Sequence, residues 1–165
     1  MPIAKGNINT LITSMRDKLT DDGVFTTDEC YITLESELIE YGPGGLYCLI
    51  TPRPFRSFQP GVAGGSTEVT IIEGDVTLTL WSHYAADEAA RDTQALTNTT
   101  LGVYSKIDDI LDSLHMYLYC DGTDGKYAVP IRLDFIDTPK RSRDNPDWLY
   151  VMLSFKTKLW LDVDD

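Results

Sequence analysis

The strictest pattern in the chain is an alternation of apolar and polar residues within residues 67–83. Its apolar members are Val76, Leu78 and Leu80, and its polar members are Asp75, Thr77 and Thr79. Because successive side chains of a strand point to opposite faces, the pattern predicts a long strand with one apolar and one polar face. Gly74 changes the phase of the pattern, which favours a bulge in this strand over a hairpin at residues 73–75.

Two amphipathic stretches are candidates to cover the apolar face of that strand. The first, residues 7–22, places on one helical face Ile8, Leu11, Ile12, Met15 and Leu19. Asn7 is positioned as its N-cap and Gly23 as its C-terminal stop. The second, at about 98–119, should end near Cys120 and carries the stripe Leu101, Tyr104, Ile107, Ile110, Leu111, Leu114 and Leu118.

Three further segments have strand composition. Residues 46–51 form a compact apolar run, and residues 127–135 and 149–161 alternate between apolar and polar. The last two are neighbours in the chain, which predicts an antiparallel pair. We therefore expect an α+β fold: a mixed, mainly antiparallel sheet covered by an N-terminal helix and the central helix. At 165 residues the chain is expected to form a single domain.

Two loops are the candidate contact surfaces of this domain. Residues 52–66 are rich in proline and glycine and predict a projecting loop, because Pro52 and Pro54 cannot donate to a strand ladder. Residues 137–147 predict a hairpin loop with a basic tip. The interface candidates are Arg53, Phe55, Arg56, Phe58, Lys140, Arg141 and Arg143. The alternative for the two phenylalanines is that they pack back onto the domain.

The formal net charge of −12 bears on the class of partner. Tight binding to nucleic acid needs an excess of Lys and Arg, whereas this chain has 14 basic and 26 acidic residues. Such a surface suits a wall past which DNA slides without binding. The first ten residues contain no apolar signal-peptide core, and no apolar run reaches the length of a membrane span.

No motif in the sequence predicts a catalytic, cofactor or metal site. The two histidines, His83 and His115, have no carboxylate partners at a ligand spacing, and the three cysteines form no CxxC pair, as expected of reduced thiols. The carboxylates of Asp108, Asp109 and Asp112 are interpreted as a solvated helix face. The chain is therefore expected not to be an enzyme and to need no cofactor. The alternative is a dispersed site that gathers a histidine with carboxylates.

The order of these elements resembles the tail terminator, or tail completion, proteins of long-tailed bacteriophages, typified by the lambda tail terminator. The segments that carry the resemblance are INTLITSMRDKL, LYCLIT, PRPFRSFQPGVAGGS, DVTLTLW, LGVYSKIDDILDSL, AVPIRLDF and WLYVMLSFKTKLWLDV. The resemblance implies a structural virion protein, made in the host cytoplasm, that forms a homo-hexameric ring at the head-proximal end of the tail.

Such a ring would cap the tail tube and join it to the head-neck connector proteins, with DNA passing through its lumen without specific binding and with no membrane contact. Two alternatives remain at this point. The chain is a tail-tube or other neck (head-completion) component, or it is a small cytosolic α+β protein-binding module.

Overall fold

The computed structural model describes residues 8–34, 45–58, 69–83, 91–100, 102–117 and 130–162. Three helices lie in these ranges: α1 (Ile8–Asp21), α2 (Arg91–Thr97) and α3 (Val103–Leu114). The strands are β1 (Cys30–Ile32), β2 (Leu46–Phe58), β3 (Val69–His83), β4 (Arg132–Ile136), β5 (Lys140–Arg141) and β6 (Trp148–Asp162).

The strands form one six-stranded sheet in the order β1-β2-β3-β6-β4, with β5 also paired to β6. Only the β1–β2 pair is parallel among the described strands, and the other pairs are antiparallel. The predicted α+β class with a mixed, mainly antiparallel sheet is confirmed. The long strands β2, β3 and β6 form its centre, and β4 pairs with β6 as predicted from their adjacency.

The apolar face of the sheet carries the main core, as the alternation in β3 predicts. Val76, Leu78 and Leu80 are fully buried there. They share this face with matching residues of β2 and β6, and α1 and α3 pack over it. We call this side of the sheet the helix-covered face and the other side the second face.

Helix α1 follows the predicted pattern except at Ile8, which is 37% exposed. Its buried residues are Leu11, Ile12, Met15 and Leu19. Gly23 has a φ of 71°, the left-handed conformation that glycine adopts without a steric penalty. The amide of Val24 donates to the Leu19 carbonyl at 3.0 Å, so the chain closes the helix end at the predicted position.

Helix α3 is shorter than predicted at both ends, because it begins at Val103 and not near residue 98, and it ends at Leu114 and not near Cys120. Met116 adopts a φ of 65°, and its amide donates to the Ile131 carbonyl at 2.7 Å. These backbone bonds to the segment before β4 replace the bonds that would continue the helix. The buried stripe also differs, since Tyr104 is 48% exposed and Val103 takes the buried position.

The prediction that residues 52–58 form a loop is wrong, because β2 continues through them to Phe58. The pairing of β1 reaches only as far as Ile50, so the outer edge of β2 carries no strand beside Pro52 and Pro54 in the described sheet. A proline at a free edge leaves no ladder bond unmade. The rest of the predicted loop, 59–66, lies outside the described residues.

The irregularity predicted at Gly74 lies in the neighbouring strand. Strand β3 pairs with β6 in one unbroken register through Gly74, so it contains neither a hairpin nor a bulge there. The register shift occurs in β2, between Pro52 and Phe55, opposite Asp75. One extra residue in β2 there makes a bulge, which turns Phe55 toward the helix-covered face above Gly74.

The predicted hairpin loop at 137–147 is partly ordered as β5, whose Lys140 and Arg141 pair with Tyr150 and Leu149 of β6. The predicted strand residues 127–129 and the predicted helix residues 118–119 lie outside the described part of the chain.

Candidate assembly surface

The second face of the sheet begins with an aromatic cluster near the start of β6. Its members are Tyr31, Tyr47, Leu49, Trp81, Trp148 and Tyr150. The Tyr47 and Trp148 rings stack with centroids 5.7 Å apart, and Trp81 lies 4.8 Å from Tyr150. These residues alternate with the core positions of the same strands, so the strand period places them together on this face.

A band of small polar residues follows the aromatic cluster along the strands. It consists of Thr51, Thr77, Thr79 and Ser154, all of them buried. The hydroxyls of Thr51 and Thr79 have no hydrogen-bond partner among the residues that the structure describes. Buried hydroxyls without partners are uncommon in folded proteins. The band lies between the aromatic cluster and a charged region of the same face.

Five cationic residues occupy the second face beyond this band, on the three strands β2, β4 and β6. They are Arg53, Arg56, Arg132, Lys156 and Lys158, and all five are exposed. The register sets Arg56, Glu73 and Lys158 in one row across the sheet, and Asp75, Lys156 and Arg132 in the next. Rows two residues apart on a strand are separated by about 7 Å, so these residues form one patch, which we call the basic face.

Acidic neighbours hold two of these cations in place. Lys158 Nζ lies 2.5 Å from Glu73 Oε1, and Lys156 Nζ lies 3.0 Å from Asp134 Oδ1. The contact with Asp134 raises the pKa of Lys156. Counting these acids and Asp75, the patch carries five positive and three negative charges, an excess of positive charge on a chain of net charge −12.

The structure places the four interface candidates of the first predicted loop in different environments. Arg53 and Arg56 lie on the basic face, where Arg53 Nε donates to Thr77 Oγ1 at 3.2 Å. Phe55 packs against the core, with its ring over Gly74. This is the alternative in which the phenylalanine packs back onto the domain. The side chain of Phe58 lies outside the described part of the structure.

The three cations of the second predicted loop lie apart from the basic face. Lys140 aligns with Tyr150, whereas Arg132 aligns with Lys156 on the same strand. Six residues of strand span about 20 Å. The two groups of candidates are therefore not brought together.

The loop that carries these cations neutralises part of its own charge. Lys140 Nζ lies 2.6 Å from Asp137 Oδ2, which lowers the pKa of Asp137 and raises that of Lys140. Arg141 Nη1 donates to the Pro146 carbonyl at 2.9 Å. Arg143 is exposed, and it makes no hydrogen bond or ion pair within the described residues.

An acidic surface lies on the opposite layer, where the end of α1 meets the outer side of α3. It consists of Asp21, Asp22, Asp108, Asp109 and Asp112, and we call it the acidic helix surface. Asp22, Asp109 and Asp112 line a cavity of about 290 Å³.

Within this surface Asp22 is firmly bound. Lys18 Nζ donates to Asp22 Oδ1 at 2.8 Å and Ser113 Oγ donates to Asp22 Oδ2 at 2.7 Å. Both bonds favour the ionised carboxylate, and so they lower the pKa of Asp22.

The titratable groups considered above as catalytic candidates have structural partners. His83 packs against Trp148 with ring centroids 4.9 Å apart, and His115 Nδ1 accepts a hydrogen bond from the Leu133 amide at 3.2 Å. A hydrogen bond with Cys30, together with burial, raises the pKa of the Cys48 thiol. Within the described ranges there is no group of three or more His, Cys, Asp or Glu residues arranged to hold a metal ion.

The helices in the described part of the chain are all too short or too polar to cross a membrane.

The sequence had indicated two of the five cations on the basic face. Arg132, Lys156 and Lys158 were missed because each occupies an ordinary polar position of an alternating strand. Only the pairing register reveals that they are neighbours of Arg53 and Arg56.

The sequence matches no protein-family model and no curated protein. Among solved structures, it is similar to a chain described as "Virion of native gene transfer agent (GTA) particle". The two are 13% identical in sequence and superpose with a TM-score of 0.51, over 88% of this chain and 91% of that chain. The likeness therefore covers nearly the whole of both chains, and what they have in common is the fold.

Proposed function

We propose that this chain is a structural protein of a phage-type virion, which acts by assembly with copies of itself and with other virion proteins. The observation that carries this proposal is the fold that it has in common, almost end to end, with a chain of a gene transfer agent virion. The tail-terminator resemblance of the sequence points to the same class of particle.

The composition of the second face supports a role in assembly. Tyr, Trp and Arg are the residues enriched at protein interfaces and at their energetic centres. Tyr150, Trp148 and Arg132 lie on this face, on the side opposite α1 and α3. A surface of this composition is suited to contact with another protein.

The specific role that we propose is that of a tail terminator. Copies of this single α+β domain form a homo-hexameric ring at the head-proximal end of the tail, cap the tail tube and join it to the head-neck connector. The acidic net charge of −12 lets DNA pass through the lumen without being held. The ring acts through contacts and not through catalysis.

Electron microscopy of the purified protein mixed with tail tubes tests this role. We expect rings of one size and a single ring on one end of each tube. Extended stacks of rings would favour the alternative of a tail-tube component, and particles that neither form rings nor bind tubes would contradict the proposal.

The loop at 137–147 stays a proposed contact of the ring. Replacement of Arg143 with Glu removes an exposed cation that makes no ion pair with described residues, and so it should leave the fold intact. We expect the variant to form rings less readily when measured by light scattering. Ring formation at the wild-type concentration would remove Arg143 from the interface.

A further inference from the structure

We propose that the basic face is a docking site for a second copy of this chain, and that it binds the acidic helix surface of that copy. This inference deepens the proposed function, on which it rests, by assigning the two surfaces that meet between neighbouring subunits. The class of partner follows from charge: a patch with excess positive charge needs an acidic occupant, and the chain itself presents one.

The two surfaces lie on opposite layers of the fold. Arg56 and Arg132 point away from the helix-covered face, because they share register positions with residues of the second face. Asp108 and Asp112 are exposed on α3, which packs on the helix-covered face. In a symmetric dimer each subunit uses the same surface, so two patches on opposite sides of one protomer cannot both be in contact. A contact between these two patches therefore joins neighbouring subunits head to tail. Contacts of that kind generate closed rings where the rotation between neighbours closes, and open filaments where it does not.

The basic face retains unsatisfied charge for such a contact. Lys158 and Lys156 have acidic partners within the chain, but Arg56 and Arg132 make no ion pair or hydrogen bond within the described ranges. Lys156 is also 62% exposed at its side chain. The guanidinium groups can therefore form two-pronged contacts with carboxylates of a neighbour without giving up a bond to another described residue.

The acidic helix surface likewise has charges that no described residue pairs with. Asp22 is already bound by Lys18 and Ser113, whereas Asp108 and Asp112 are exposed and make no ion pair within the described residues. These two lie four residues apart, so they project from the same side of α3. Their separation along one helix face presents two carboxylates to one partner surface.

A nucleic acid is the other class of occupant that cations could bind, and the observations favour it less. Glu73 and Asp75 interrupt the rows of cations, and a phosphate backbone would approach these carboxylates as closely as it approaches the arginines. The rest of the chain repels a polyanion, because its net charge is −12. A protein surface with spaced carboxylates fits the alternating pattern better.

Charge exchange between the two surfaces tests the proposal. The first variant, R56E/R132E, reverses the basic face, and R56Q/R132Q removes its charge with less effect on the neighbouring Glu73. The control, R16E, makes one Arg-to-Glu change on an exposed side chain of α1, and so it alters the net charge by half as much as the double variant. Assembly is followed by light scattering against protein concentration, and folding by circular dichroism.

We expect R56E/R132E to assemble at least about tenfold more weakly than the wild type and R56Q/R132Q to lie between them, whereas R16E assembles normally. The variant D108K/D112K should be similarly impaired. The chain that carries all four changes has the wild-type net charge, and its two surfaces are again complementary. Recovery of assembly in this fourfold variant is the result that identifies the acidic helix surface as the partner.

Four results would overturn the inference. Wild-type assembly of both folded arginine variants would remove the basic face from the interface while leaving the proposed function standing. Failure of a folded fourfold variant to recover would exclude the acidic helix surface as its partner. Retention of duplex DNA by the wild type but not by R56Q/R132Q would assign the basic face to nucleic acid. A wild-type chain that stays monomeric would contradict this inference and the proposed function together.

Discussion

The contact between Phe55 and Gly74 gives the sharpest stability prediction for the sheet. A Cβ atom added at Gly74 would overlap the Phe55 ring, with the ring's Cγ and Cε1 only 2.7 Å away. These distances are far below a van der Waals contact, so either the ring or the strand must move. The strand has little freedom, because Thr157 Oγ1 donates to the Gly74 carbonyl at 2.8 Å and β3 is paired on both sides.

We therefore expect Gly74→Ala to lower the free energy of unfolding by about 1–3 kcal/mol, the usual cost of overpacking. The destabilisation comes from overlap with the Phe55 ring, so it should disappear when the ring is removed. In a Phe55→Ala background the same change should be neutral or stabilising by about 0.5–1 kcal/mol, because alanine suits a strand interior better than glycine. The coupling between the two sites is then about 1–4 kcal/mol.

A double-mutant cycle measured by urea unfolding at one fixed protein concentration provides these values. Phe55→Ala alone should cost about 1–2 kcal/mol, since the ring is partly buried against the core. Additive effects of the two substitutions would refute the reasoning. They would mean that the ring does not lie over Gly74 in solution.

Three further predictions concern the core and the helix ends. Replacement of the fully buried Ile110 with Ala should lower the free energy of unfolding by about 2–5 kcal/mol in urea melts, and a loss below 1 kcal/mol would place this side chain at the surface. Gly23→Ala should cost about 1 kcal/mol in the same assay, because the φ of 71° is unfavourable for alanine although there is open space around the site. The Cys30 and Cys48 thiols should resist a thiol reagent at neutral pH until the protein is unfolded, because both are buried and the pKa of Cys48 is raised; rapid labelling of the native protein at either thiol would contradict this.

Sequence patterns predicted the parts of the fold that depend on local periodicity. The stripe of α1, its end at Gly23 and the alternation around Leu78 all reflect one face of one element. Each pattern therefore appears within a short window of sequence. The class of fold follows from adding such elements together.

Features that depend on neighbouring elements were not accessible in this way. The prolines at 52 and 54 predicted the end of β2. The pairing of β1 with β2 ends at Ile50, however, so the outer edge of β2 is free at the two prolines and the strand continues. The end of α3 is set by the backbone bonds that Met116 and Tyr117 make with Ile131, which lies outside the helix. In both cases the deciding partner is another element, so a local window contains no signal for it.

The basic face shows the same limit for the candidate site. Arg56 and Lys158 are about a hundred residues apart in the chain, yet the register of β2, β3 and β6 places them in one row with Glu73 between them. Strand register is fixed by how whole faces pack, and a shift of one residue would move each cation to the other face.

The proposed function requires the chain to assemble with copies of itself, and the mass of the purified protein in solution shows whether it does. Size-exclusion chromatography with light scattering should give a particle of about six times the 18.5 kDa chain mass at micromolar concentration. A single species of 18.5 kDa that persists as the concentration is raised would mean that the chain does not assemble with copies of itself.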